Sequence, residues 1–346
     1  MLYQSILLKL DEKLVLIHEA LSISVLMTTY NDGKFLENSI GSVLRQTYPN
    51  FEFVIIDDGS MDGTEKTLSK VYDKRIRYLK MDHLGRSKAL NYGLRICKYD
   101  WVALIDADDI WHPNKLEKQV MLIRSDRDVI FTHTLFFREK TIEFPLKCPQ
   151  SKSDLMKLLP LHGHMTNSSI IYNRKYVKEL GSYNESLTNS EDYDLLIRMI
   201  PNSTYKYADD YLVFYRLRSK SLSSYSVQET KRNIRSIQIK YFSKKGNGVL
   251  GKTYVDEEEY LDSWREYFYG NKKNARKIWL SNKKLLFKDY KIILAFIITY
   301  LPDSLYEISL ESRLKLRIKY YLKKFIRDEK LLNSEKVFKS IVKDNL

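Results

Sequence analysis

Trp101-Val102-Ala103-Leu104-Ile105 is an unbroken apolar run, and it stops at Asp106-Ala107-Asp108-Asp109. A run of this kind reads as a buried strand. Three carboxylates in four positions cannot follow it into a core, because unpaired charges are desolvated only at great cost. They suit the C-terminal end of a strand in an open α/β sheet, where the crevice beyond the strand ends holds ligands. Asp106 and Asp108 are two apart, so on an extended chain they share a face. Such a pair fits a hard divalent cation, Mg²⁺ or Mn²⁺, which takes one or two carboxylates together with substrate phosphates. The same residues also fit a solvated turn opening the next helix, with Asp109 as N-cap and His112-Pro113 in its first turn.

The segments before this run repeat one design. Ile23 to Tyr30 is strand-like and ends at Asn31-Asp32-Gly33. Lys34 to Gln46 then carries Phe35, Leu36, Ile40, Val43 and Leu44 at helical spacing. Phe53 to Ile56 is a second strand, ending in Asp57-Asp58-Gly59-Ser60, and Asp62 is placed to cap a helix running to about Tyr72. Arg75 to Lys80 reads as a strand and Gly85 to Cys97 as a helix. Strands alternating with helices of about 10–15 residues predict a parallel sheet with right-handed crossovers. Parallel strands put Thr28 and Tyr30, Asp57 and Asp58, and Asp106 and Asp108 on one edge. That edge suits a nucleotide, since an aspartate accepts from a base N–H and a tyrosine stacks on the ring. Asp57 to Ser60 equally suits a β-turn and helix cap.

The length of 346 residues allows one large domain and a smaller one. Cys97 and Cys148 are the only cysteines and have no paired spacing, which points to a reduced, cytoplasmic protein. The first 22 residues carry Asp11, Glu12 and Glu19 and lack a basic start and a long apolar stretch, so they read as an amphipathic helix or frayed arm rather than a signal peptide. The net charge of +14 is uneven: residues 227–346 hold 27 Lys and Arg against 15 Asp and Glu. The expected organisation is an extension over 1–22, an α/β domain over 23–226 and a basic helical region over 227–346.

VLMTTYN, QTYPNFEFVIIDDGSMDGT, HLGRSKALNYG, ALIDADD and NSEDYDLLIRM, in this order and spacing, resemble family 2 glycosyltransferases. The resemblance covers residues 22–225 and implies the GT-A fold, a Rossmann-like, mostly parallel sheet flanked by helices. These are largely bacterial enzymes that build surface polysaccharides from nucleotide-sugar donors. It implies an inverting, metal-dependent hexosyl or N-acetylhexosaminyl transfer from a UDP-sugar to a hydroxyl of a glycan or lipid-linked acceptor. By the same resemblance Thr28, Tyr30 and Asp58 contact the nucleoside, Asp106 faces the ribose and metal, and Asp108 ligates Mn²⁺ or Mg²⁺. Asp192 is the catalytic base, with Glu191 as runner-up. Arg86 and Lys88 either approach the donor phosphates or form a solvated helix face. The chain departs from the family pattern with His83 for Asn, Leu90 for Arg, and Arg218 where many relatives carry His; Arg218 can still pair with a diphosphate.

Acids in a first helical turn also favour the helix dipole, so Glu191 and Asp192 have a capping reading beside the catalytic one, and Asp194 is expected to face solvent or cap. His162 and His164 flank a glycine without a third ligand at metal spacing, which leaves donor or acceptor contact. Gly246 to Thr253 matches the P-loop pattern, but Lys231 to Lys245 before it is basic and helix-like, so it reads as a Gly-rich connector. Ile292 to Leu301 is apolar and too short to span a bilayer. Leu314, Ile318, Tyr321, Leu322 and Phe325 form a helical stripe amid lysines and arginines. That stripe either attaches the chain to an anionic membrane surface, at the inner face of the plasma membrane, or packs on the catalytic domain. No helix-turn-helix, zinc or RNP pattern accompanies the charge, which argues against nucleic acid. A non-catalytic, membrane-associated scaffold and a P-loop ATPase are the rival functions.

Overall fold

The apolar runs are strands: β1 (Ile23–Thr29), β2 (Phe51–Asp57), β3 (Ile76–Lys80) and β4 (Trp101–Asp106). The helices between them are α1 (Gly33–Leu44), the short α2 (Thr64–Leu68) and α3 (Arg86–Ile96). Every residue of β1 and β2 is buried, as a parallel sheet covered on both faces demands. Val25 and Met27 pack with Leu36, Ile40 and Val43 of α1. Leu26 points the other way, toward α3, where Gly93 leaves so little room that an added Cβ would stand 2.4 Å from Leu26 Cδ1. Alternation along one strand therefore fixes a helix on each face.

The chain continues through β5 (Ile110–Trp111), α4 (Lys115–Val120), β6 (Asp128–Arg138), β7 (Thr141–Leu146), α5 (Lys152–Leu158), β8 (Ile171–Asn173), α6 (Arg174–Glu179), α7 (Glu191–Met199) and β9 (Thr204–Arg216). The sheet runs β3-β2-β1-β4-β8-β6-β9-β5, with β7 paired to β6. β3, β2, β1 and β4 are mutually parallel, β6 and β9 are parallel to each other, and β5, β7 and β8 pair antiparallel. The expected mostly parallel α/β sheet is what forms.

Further helices are α8 (Val227–Phe242), α9 (Lys272–Ser281), α10 (Tyr290–Ile298) and α11 (Glu329–Lys343). This computed structural model describes residues 21–161, 165–218, 227–242, 263, 266–267, 271–283, 290–300 and 328–343. The amino-terminal arm up to residue 20, His162 and His164, the 219–223 loop, the Gly246–Thr253 match and the stripe over 314–325 lie outside them. The chain forms two compact units, one holding the sheet and α11, the other holding α8 to α10. The sequence boundary at 226 put α11 with the basic tail. Instead, the Phe338 ring of α11 lies 4.8 Å from that of Phe137 and 5.0 Å from that of Phe214. Lys330 pairs with Asp209 and Asp328 with Lys147. An apolar side chain and two ion pairs thus return the last described helix to the sheet.

Asp62 does more than cap one helix. Its two carboxylate oxygens accept from Gly33 N and Thr64 N, joining the starts of α1 and α2. Asp109 is not an N-cap, since α4 begins after Asn114 and Asp109 is fully buried, accepting from Ser168 Oγ and from the Arg216 amide.

Lys115 opens α4 with no exposed surface. Its Nζ donates to Gln119 Oε1 at 2.7 Å and sits 3.9 Å from the centre of the Trp111 ring. Burial pushes its pKa well below the usual lysine value. The unfolded chain therefore takes up a proton that the folded chain resists, and this residue's contribution to stability falls as pH drops below about 10.4. Lys115→Met should raise the thermal midpoint near neutral pH by a few degrees. In melts run as a pH series, that advantage should shrink toward pH 10.

Candidate active site

Strand register assembles the site edge. Thr28 stands opposite Asp106 on β4, and Thr29 stands opposite Asp57 on β2. Three polar strand ends that are far apart in sequence thus meet on one side of the sheet. Thr28 is buried, and the hydroxyl of its neighbour Thr29 is buried without a hydrogen-bond partner.

At one end of this edge Tyr30 is partly exposed and its ring stacks on His83, with centroids 4.0 Å apart and planes within 13°. Asp58 is almost fully buried; it accepts from the amides of Leu84 at 2.8 Å and Gly85 at 3.0 Å and pairs with His83 Nδ1 at 2.9 Å. Asp57 accepts from Ser60 N and from the Tyr78 hydroxyl. The turn reading of Asp57 to Ser60 therefore holds alongside whatever this edge binds. His83, noted in the sequence only as a departure, is the residue that links Tyr30 to Asp58.

Further along, carboxylates alternate with guanidinium groups. Arg86 donates through Nε to Glu191 at 2.6 Å and through a terminal nitrogen to Asp106 at 2.5 Å. Asp106 also accepts from the Asn167 amide nitrogen at 3.1 Å, and its backbone N–H donates to Ser168 Oγ. Arg218 pairs with Asp32 at 2.5 Å and with Asp108 at 2.6 Å. Arg216 donates from Nε to the Asp108 carbonyl and lies over the rings of Phe35 and Phe137. Burial pushes Asp108 up to about 6, and Asp106 and Asp32 push the same way against Arg218. Burial likewise drives Asp109 well above the usual carboxylate range. Arg86 is held above its ordinary value by Asp106, Glu191 and Asp192, against the pull of burial. Lys88 and Arg86 share a helix in the sequence reading, yet the structure places the Arg86 head group on two acids rather than on a solvated face.

α7 brings in the remaining acids. Ser190, with φ of 62°, turns the chain into the helix. Asn91 of α3 fixes the approach by donating to the Tyr183 carbonyl and Glu185 and accepting from the Tyr183 amide, while Ser87 Oγ donates to the Leu187 carbonyl. Glu191 is buried and held by Arg86. Asp192 is open to solvent, and its carboxylate accepts from the Tyr193 amide at 2.7 Å. Protein crowding raises the pKa of both acids above the usual range, with Arg86 pulling each back. Asp194 neither caps nor faces solvent; it is buried and pairs with Arg198 at 2.6 Å. Asn167 and Ser168 close the 161–169 stretch that the sequence reading assigned to donor or acceptor contact, but their bonds to Asp106 and Asp109, like those of Arg216, come from chain segments that meet only in the fold.

The acids Asp32, Asp106, Asp108, Asp109, Glu191 and Asp192 outnumber the guanidinium groups of Arg86, Arg216 and Arg218 around them. Asp106 and Asp108 offer hard oxygen donors in a setting of excess negative charge, which fits Mg²⁺ or Mn²⁺ completed by phosphate and water. Among the described residues no cluster of three or more ligands stands ready for a metal on protein atoms alone.

The profile of Glycosyl transferase family 2 matches residues 24–181. A Methanocaldococcus jannaschii protein named as an uncharacterized glycosyltransferase is 31% identical over 258 residues, covering 71% of this chain and 85% of the relative. The chain belongs to glycosyl transferase family 2. The O-antigen biosynthesis glycosyltransferase WbnJ of Escherichia coli is 32% identical over 208 residues, 58% of this chain and 81% of WbnJ. The E. coli UDP-Glc:alpha-D-GlcNAc-diphosphoundecaprenol beta-1,3-glucosyltransferase WfgD is 29% identical, covering 61% of this chain and 83% of WfgD. The chain spans only 34% of the length of the Rickettsia felis and Rickettsia conorii glycosyltransferases it matches. In fold, S. aureus TarS 1–349 in complex with UDP-GlcNAc aligns with 94% of this chain and 91% of its own at a TM-score of 0.52 and 18% identity.

Removing Arg86 would leave two largely buried carboxylates facing each other, a loss of about 3–5 kcal/mol for a buried pair broken from one side. Without the guanidinium, Glu191 would hold its proton still more tightly when folded than when unfolded, so stability would fall as pH rises above about 4.3. Arg86→Ala should therefore melt lower than the parent, with a larger deficit at pH 8 than at pH 5. Calorimetric melts at the two pH values check the sign, and Arg86→Lys should recover part of the loss.

Proposed function

We propose that this family 2 glycosyltransferase moves a hexose or N-acetylhexosamine from a UDP-sugar to a hydroxyl of a glycan or lipid-linked acceptor, with inversion, in surface polysaccharide biosynthesis. The observation that carries the reading is the unequal state of two neighbouring acids. Glu191 is buried against Arg86, whereas Asp192 is open to solvent and bonds no guanidinium among the described residues. An acceptor hydroxyl needs a carboxylate to take its proton, and Asp192 is the one that can receive it. WfgD, named for a UDP-glucose donor and a diphosphoundecaprenol acceptor, and WbnJ, named for O-antigen biosynthesis, support the donor and acceptor classes.

Tyr30 would stack on the base, and Thr28 and Asp58 would line the nucleoside end. Asp58 would act there chiefly by holding the Leu84–Gly85 turn. Asp106 and Asp108 would hold Mg²⁺ or Mn²⁺, which when bound offsets charge developing on the leaving diphosphate. Arg218 stands beside Asp108 as a fixed cation for the same phosphates. In the reaction, the acceptor oxygen forms a bond to sugar C1 as the C1–O bond to the diphosphate breaks. The bonding pair leaves with UDP, and the hydroxyl proton passes to Asp192. Arg86 orients Asp106 and Glu191 and takes no proton. An enzyme with this acceptor class works at the inner face of the plasma membrane.

Asp192→Asn preserves size and the bond from Tyr193 but cannot accept a proton. It should cut turnover by about 10²–10⁴-fold with UDP affinity nearly unchanged, read by donor-to-acceptor transfer beside calorimetric UDP titration. Full turnover in this variant, with Glu191→Gln inactive, would move the base by one residue.

Asp108→Ala should abolish the gain in UDP affinity that Mn²⁺ confers while the fold is retained, because it removes one of several repelling carboxylates. Titrations with and without Mn²⁺ measure it, and an unchanged metal effect would remove Asp108 from the ligand set.

A further inference from the structure

In the second compact unit, α10 is inside out. Ala295 and Thr299 are fully buried, while Ile293, Leu294, Ile297 and Tyr300 are 41%, 50%, 57% and 58% exposed. At about 100° per residue these four cover one arc of about 120°. A helix on a water-soluble surface turns its large apolar side chains inward and its small or polar ones outward. Here the hydroxyl of Thr299 is the buried group, donating to the Phe296 carbonyl and receiving from Arg276 Nε.

α9 extends the same surface. Its Ala275 and Trp279 are buried, with the Trp279 ring against Phe296. Lys273, Lys277, Leu280 and, just past the helix, Lys283 are exposed. Arg276 joins the two faces: its guanidinium lies 3.7 Å from the centre of the Tyr300 ring and also bonds the Thr299 carbonyl. No acidic residue occurs in 271–283 or 290–300. Exposed apolar side chains beside Lys273, Lys277 and Lys283, on two helices that themselves carry no acid, are complementary to an anionic lipid surface, where lysines meet headgroups and the aliphatic side chains enter the acyl boundary. Among the described residues α10 has 9, against the roughly 20 that a span requires, a length suited to lying along a bilayer surface.

We propose that the α9–α10 pair is a lipid-docking surface for anionic membranes, with Leu294 and Ile297 inserting and Lys273 and Lys277 facing the headgroups. This deepens the peripheral placement proposed above, and its readout needs neither donor nor acceptor. The test is co-sedimentation of the full chain with vesicles of phosphatidylcholine plus phosphatidylglycerol, and with phosphatidylcholine alone. The parent should bind the anionic vesicles and be released by salt. Leu294→Glu/Ile297→Glu and Lys273→Glu/Lys277→Glu should each lower the partition constant about tenfold or more, with UDP affinity and thermal midpoint retained. If the apolar pair melts lower, Leu294→Ser/Ile297→Ser replaces it. Parent protein that ignores anionic vesicles, or variants that bind as the parent does, overturns the proposal. So does a parent dimer in light scattering that Leu294→Glu/Ile297→Glu turns to monomer without vesicle binding, since a second copy then covers the face. Lost UDP binding by the parent would count against the donor reading and leave the lipid result standing.

Discussion

One guanidinium between two acids holds this site together. Arg86 begins α3, Asp106 ends β4 and Glu191 begins α7, and their bonds of 2.5 and 2.6 Å join the three elements at one point. None of the three could be buried alone, because each charge would lack compensation. Together they let a strand end and a helix start approach closely, which leaves the next residue, Asp192, facing the crevice. The support beneath is equally specific: Asn91 and Ser87, on the same helix as Arg86, hold the loop that delivers α7.

The acids of the edge divide by solvation. Asp109 lies deepest and serves the fold, joining β4 to Ser168 and to the end of β9. Asp108 lies beside it, pushed up by burial and by its neighbours, with Arg218 as its counterion. Asp192 remains open. The run of three acids is thus a structural acid at Asp109, a candidate ligand at Asp108 and, least buried of the three, Asp106 on its guanidinium. Opposite charges within a few ångströms in a crowded environment make each of these states depend on the others.

The two compact units obey different surface rules. The sheet unit buries the apolar side chains of its central strands and meets α11 through Phe338. In and just after α10, Ile293, Leu294, Ile297 and Tyr300 face outward while Ala295 and Thr299 are buried. Composition predicted a basic tail with an apolar run, and that much is in the chain itself. Which side of the run faces out follows only from the packing of Ala295 and Thr299 toward α9.

The sequence by itself determined the sheet, because buried parallel strands are continuous apolar runs and their polar ends mark the edge on which they stop. It also determined which residue types stand there, since Thr28, Tyr30, Asp58, Asp106, Asp108 and the Glu191-Asp192 pair all fall at element ends in the expected order. Helix extents were less legible: α2 stops at Leu68 rather than near Tyr72, and Asp62 proved to serve two helices. What each charged group touches was decided by tertiary structure alone. Asp109 as a core acid, Asp194 on Arg198, Arg86 on Asp106 and Glu191, and Arg218 across Asp32 and Asp108 pair residues of which several are more than a hundred positions apart. Local spacing records which face a side chain leaves from, but a charge chooses its partner by distance and solvation, and those exist only once the segments have come together.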